Sequence, residues 1–136
     1  MATLPDIYKR LDEVSDRLST RSRALALGLI AFFWTILTSN SELAKRFSQA
    51  FKSQLLGVAG LAILALLFDF LHYAVAYYYA NNVRKEAEAS TTHQAKYDYT
   101  HPLYRMQDVC FYMKQICVFL GSVGLLVLLF IQLSKD

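Results

Sequence analysis

The apolar residues of this chain fall in three blocks, separated by polar stretches. The first covers residues 24–38, the second 55–79 and the third 109–133. Crossing about 30 Å of hydrocarbon takes roughly twenty helical residues. The second and third blocks are long enough, the third with some tilt. The first is short, but the weakly polar Ser39, Asn40 and Ser41 can carry it into the interface, and Trp34 suits an anchor there. In the second block, residues 55–68 hold no charge, and Tyr77, Tyr78 and Tyr79 form an aromatic belt at its end. The pattern predicts an all-α membrane protein with three transmembrane helices, at about 24–40, 55–79 and 109–133.

The polar stretches carry helical patterns of their own. In residues 1–23, Leu4, Ile7, Leu11, Val14 and Leu18 step by three and four, which places them on one face of an amphipathic helix. Thr3 is an N-cap, Pro5 suits the first turn and Asp6 adds a favourable charge. No breaker separates this helix from the first block, so one long helix can enter the membrane. Its apolar seam is coiled-coil-like over about two heptads and is the candidate oligomerisation surface. The competing expectation lays the helix flat on lipid. In residues 41–54, Leu43, Phe47, Phe51 and Leu55 recur every four residues, the pattern of an interfacial helix or of an extension of the next span. Residues 81–108 form the longest polar connection: Arg84, Lys85, Glu86 and Glu88 can prolong the second helix, residues 90–101 read as a loop, and Pro102 punctuates it.

Composition agrees with this picture. Hydrophobic residues make up 55% of the chain and charged residues only 18%, against about a quarter charged in a soluble domain. The net charge of +3 comes with no basic run longer than two, so no clustered patch of the kind nucleic acid requires is present. Basic residues crowd the side shared by the N-terminus and the 81–108 connection, which predicts a cytoplasmic N-terminus and an external C-terminus. The first apolar block follows a charged helical stretch, so no cleavable signal peptide is expected.

Two helical faces hold polar groups inside the apolar blocks. Ala62, Ala65, Asp69, His72 and Ala76 form one stripe, with Tyr73 beside it; Cys110, Lys114, Cys117, Gly121 and Gly124 form the other. Ala24, Gly28 and Ala31 are a weaker version on the first block. Small residues let membrane helices approach closely, and polar groups turn away from hydrocarbon. Asp69 and Lys114 fall at similar depths on antiparallel spans. Three readings of Asp69 are open: an ion pair with Lys114 that fixes packing, a lining group of a water-filled path, or a proton relay with His72. His72 alone is more often a satisfied hydrogen-bonding group than a metal ligand, and Cys110 and Cys117, seven residues apart, are packing residues.

The segment containing Lys96, Tyr97, Tyr99, His101, Tyr104 and Arg105 interleaves bases and aromatics. It is either a cytoplasmic ligand or gating surface, for a nucleotide or a protein trigger, or an ordered loop packed at the membrane. No Gly-rich phosphate loop, nucleophile elbow or zinc spacing is present, so neither catalysis nor a cofactor or metal is expected.

A three-helix bundle has no room for a pore, so the polar faces point to self-association in the bilayer. The leading expectation is a homo-oligomeric, ion-conducting channel or pore-forming effector, gated from the cytoplasm and lined by one of the two polar faces. In size and layout across the whole chain it resembles the small multi-helix membrane effectors of bacterial antiphage defence systems. That resemblance implies a bacterial inner membrane and membrane disruption or ion conduction triggered from the cytoplasm. The alternative is a non-conducting accessory or scaffold subunit whose polar faces bind partner helices, and a third reading is a proton-coupled component using Asp69 and His72.

Overall fold

The computed structural model describes the backbone of residues 4–89 and 100–134, and the side chains of 15–85, 88–89 and 100–134. Among the described residues it contains four helices, α1 (Leu4–Thr38), α2 (Glu42–Ala50), α3 (Lys52–Ala89) and α4 (Pro102–Leu133). Three segments are long and apolar enough to cross a membrane: Ser15–Thr38, Lys52–Lys85 and Pro102–Leu133. This is the build of a multi-pass membrane protein.

No boundary falls at residue 23. α1 is one continuous helix of 35 residues, because nothing between Arg23 and Ala24 breaks the hydrogen-bond ladder. The side chains of Leu4, Ile7, Leu11 and Val14 lie outside the described residues, and Leu18 is exposed.

The 41–54 stretch is not a single helix. α2 ends at Phe51, whose backbone has φ −125° and ψ 26°. The Phe51 N–H still bonds the Phe47 carbonyl at 3.1 Å, and the Leu55 N–H bonds Phe51 at 2.8 Å. α3 therefore starts with no intervening loop. Phe47, Phe51 and Leu55 are buried, and the two phenyl rings meet with centroids 5.4 Å apart. Leu43, the fourth residue of that stripe, is exposed.

The helices enter the 81–108 connection where its sequence allowed, α3 being prolonged through Arg84 and Glu88. α3 runs on to Ala89 and α4 begins at Pro102. An Arg84–Glu88 pair at 3.6 Å accompanies the end of α3. At the start of α4, Leu103 N–H donates to His101 Nδ1 at 3.2 Å, and Pro102 occupies the first turn, where a missing N–H costs nothing.

α3 and α4 pack along much of their length, and α1 lies against both, chiefly α3. The seam is built from Ala62 and Ala65 on α3 against Cys117, Val118 and Gly121 on α4, with Ala26 and Leu29 of α1 closing it. A Cβ at Gly121 would sit 3.2 Å from Leu29 Cδ1, 3.7 Å from Leu61 Cβ and 3.8 Å from the Val58 carbonyl oxygen. Gly121 is thus where α4 meets α1 and α3 together, and a side chain beyond Cβ has no space there. Phe70, Phe119, Leu126 and Phe130 face outward, as side chains bathed by lipid do.

The face of α1 that packs is not the expected one. Ala24, Gly28 and Ala31 are exposed, and Gly28 has open space where a Cβ would be. Ser19, Ser22, Ala26 and Leu29 are buried instead. Both faces offer small residues, but only the second carries hydroxyl groups that need partners in an apolar surrounding. At the far end of the bundle, Phe32, Ile36, Phe47 and Leu129 border an apolar cleft of about 360 Å³ between α1, α2 and α4.

Candidate functional site: a charge cluster among three helices

Asp69 of α3 sits where α1 and α4 converge. Lys114 of α4 places Nζ 2.7 Å from Asp69 Oδ1 and 2.5 Å from Ser19 Oγ. Ser19 Oγ in turn donates to Asp69 Oδ1 at 3.1 Å. Arg23, one turn along α1, reaches the other carboxylate oxygen with Nε at 2.7 Å and Nη2 at 2.6 Å. One acid therefore joins two cations and a hydroxyl from two other helices. These are charge-assisted bonds, roughly twice as strong as neutral ones.

Aromatic rings complete the surround. Arg23 Cζ lies 5.4 Å from the Tyr73 ring centroid, and Lys114 Nζ lies 5.8 Å from Tyr73 and 5.1 Å from Phe111. The electron-rich faces of these rings favour a nearby cation. Tyr73 Oη is 3.4 Å from Ser19 Oγ. Lys114 is only 1% exposed, whereas the Arg23 side chain keeps 45% of its surface. Lys114 is enclosed, and Arg23 reaches it all from the rim.

A second polar contact joins α1 to α4, where Ser22 Oγ donates to Gln115 Oε1. Gln115 Nε2 is buried with no hydrogen-bond partner among the described residues. The α1–α4 contact is thus less completely satisfied than the cluster beside it.

Counting along the helices locates the cluster. Arg23 lies fifteen residues before Thr38, Asp69 seventeen after Lys52 and Lys114 nineteen before Leu133. At the helical rise these are about 22, 26 and 28 Å from the far ends of the spans. A hydrocarbon layer about 30 Å thick that began at those far ends would close within a turn or two of the cluster, on the side of the α1 N-terminus.

His72 takes no part in the ion network. Its Nδ1 is 3.0 Å from the Gln107 carbonyl oxygen, and its ring stands edge-on to Tyr73 with centroids 5.2 Å apart. Cys110 and Cys117 are free and buried. Gly124 is looser than Gly121, with Val58 Cγ2 3.5 Å from a would-be Cβ. Lys96, Tyr97 and Tyr99 lie outside the described residues. His101 packs on Tyr79 with centroids 5.1 Å apart, Tyr104 meets the same ring at 6.4 Å, and Arg105 is exposed.

The sequence pointed to Asp69 and Lys114 but not to Ser19, Ser22 or Arg23. Arg23 read as one more basic residue outside the membrane. The signal was the stepping of Ser19, Ser22, Ala26 and Leu29 by three, four and three, which sets two hydroxyls on one helical face with Arg23 beside them.

Chemically, the cluster encloses Asp69 and Lys114, and it meets its surroundings through Arg23. The gap bordered by Ser22, Arg23, Ala65, Asp69 and Lys114 has no room for a water molecule. Among the described residues no group of histidines, cysteines and acids could hold a metal ion. Fold and cluster together define a class, the multi-pass helical membrane protein with an ion network buried between its spans. No family model, curated protein or solved structure matches the chain.

Proposed function

We propose that the chain is a non-conducting, non-catalytic accessory or scaffold subunit of a membrane complex. The observation that carries this reading is that the carboxylate inside its spans is bonded fully within one chain. Asp69 is bonded by Lys114, Arg23 and Ser19, with no space for water beside them. The two faces expected to line a path, Asp69–His72 on α3 and Cys110–Gly124 on α4, are largely occupied by helix packing in the single chain. The faces left free are mainly Leu, Phe, Ile and Val, and a lumen lined by such residues would not hold water or ions. In this role the cluster fixes α1 against the α3–α4 pair. The polar ends of α1 and α3 emerge on the same side of the bilayer, where a partner can meet them.

Reconstitution tests this directly. The purified chain in liposomes should pass ions no faster than protein-free liposomes, whatever its oligomeric state. Sustained ion flux that changes selectivity in Asp69→Asn would overturn the proposal and return the Asp69 face to the wall of a channel.

A further inference from the structure

The cluster has a surplus of positive charge. Arg23 and Lys114 are two cations and Asp69 is one acid, and among the described residues no second acid bonds either cation. Lys114 is enclosed, so the surplus reaches the surface through Arg23, whose side chain is 45% exposed. An unbalanced charge near hydrocarbon is costly and draws a counter-charge. The surroundings of Arg23 specify its form. On the same outer side lie the exposed Tyr73 and, one turn further, Tyr77, amphipathic side chains suited to the headgroup level. One turn inward of Tyr73 lies the exposed Phe70, level with Asp69, and one turn inward of Arg23 lies the exposed Leu27. A cation at the boundary, phenols beside it and an apolar surface below match a phosphate joined to an acyl chain.

We propose that Arg23, with Tyr73 beside it, binds the phosphate of an anionic phospholipid in the leaflet on the N-terminal side. The lipid completes the charge balance of the cluster, and its acyl chain lies over Leu27 and Phe70. A lipid is favoured over a partner carboxylate because the groups around Arg23 follow the polarity gradient of a leaflet, polar at one end and apolar at the other. The site does not depend on whether the chain conducts, and its readout is lipid retention, not flux.

The test is native mass spectrometry of the full chain released from bilayers of mixed phosphatidylglycerol and phosphatidylcholine at fixed salt. Wild type should retain phosphatidylglycerol about fivefold over phosphatidylcholine, the factor expected for one well-placed basic residue. Arg23→Gln should lose that preference while the chain stays folded, since Asp69 and Lys114 remain a balanced pair. Arg23→Lys should keep much of the preference, and Arg21→Gln, one helical face away, should keep it all. The proposal is overturned by equal retention of both lipids in wild type, or by an unchanged preference in Arg23→Gln. Displacement of the lipid by inorganic phosphate would also overturn it, by marking a soluble-anion site. So would a photo-crosslinker at position 23 that captures a polypeptide in place of lipid.

Discussion

Asp69→Asn is expected to be the most damaging single substitution in the cluster. It removes the one acid, among the described residues, that bonds both cations, which reach its two oxygens at 2.7 Å and 2.6 Å. Lys114, 1% exposed, would be left charged with no counter-ion and no route to water. Removing one partner of a buried ion pair costs about 3–5 kcal/mol, most of it the isolation of the charge that remains. That is a large share of the 5–15 kcal/mol by which proteins are usually stable. Lys114→Met should cost less, because Arg23 still neutralises Asp69. Arg23→Gln should cost least, because it leaves a one-to-one pair and loses a side chain already half in contact with the surroundings. Unfolding temperatures in nanodiscs should rank the three variants in that order.

Gly121→Ile is expected to be comparably disruptive for a steric reason. A Cβ there would meet Leu29 Cδ1 at 3.2 Å, and two γ-branches would press on Leu61 and on the Val58 backbone behind it. Leu29 Cδ1 is the tip of a flexible side chain and can yield by tenths of an ångström, so Gly121→Ala should be mild. The backbone of α3 cannot yield without parting from α4, and overpacking of this kind costs about 1–3 kcal/mol or more. Gly28→Ala and Gly60→Ala, where nothing lies within 4 Å of the added atom, are the controls. They should be neutral or gain up to about 1 kcal/mol from the lower backbone freedom of alanine. Maleimide labelling of Cys117 reports the difference. This thiol, one turn from Gly121, is buried in the wild type and should become reactive only in Gly121→Ile.

The contrast between Asp69 and Arg23 explains what the sequence could reveal. Asp69 and Lys114 interrupt apolar blocks, and a charge in such a place must face protein, water or a partner. Their similar depth on antiparallel helices then made an ion pair one of three legible readings, beside a water-lined path and a proton relay. The stripes Ala62–Ala65–Asp69 and Lys114–Cys117–Gly121 were legible for a related reason, since small residues at three- and four-residue spacing mark helix contacts in a membrane. Arg23 sits at the margin of its block, where a basic residue is ordinary, so nothing local separated a network member from a surface charge. Choosing between the two small faces of α1 likewise required knowing that Lys114 and Asp69 stood opposite, a tertiary fact that made Ser19 and Ser22 the better fit. The break at Phe51 left no mark of its own, because it contains neither proline nor glycine and the four-residue spacing of Phe47, Phe51 and Leu55 continues across it.

The central claim is that Asp69 and Lys114 neutralise each other inside one chain. The most direct measurement is a double-mutant cycle on unfolding in nanodiscs, with Asp69→Asn, Lys114→Met and the two combined. Contact predicts that the double variant is less damaged than the two single losses added together, with a coupling of at least about 2 kcal/mol, in the upper part of the range for directly interacting residues. Additive losses would show that the two charges do not meet and would contradict the account.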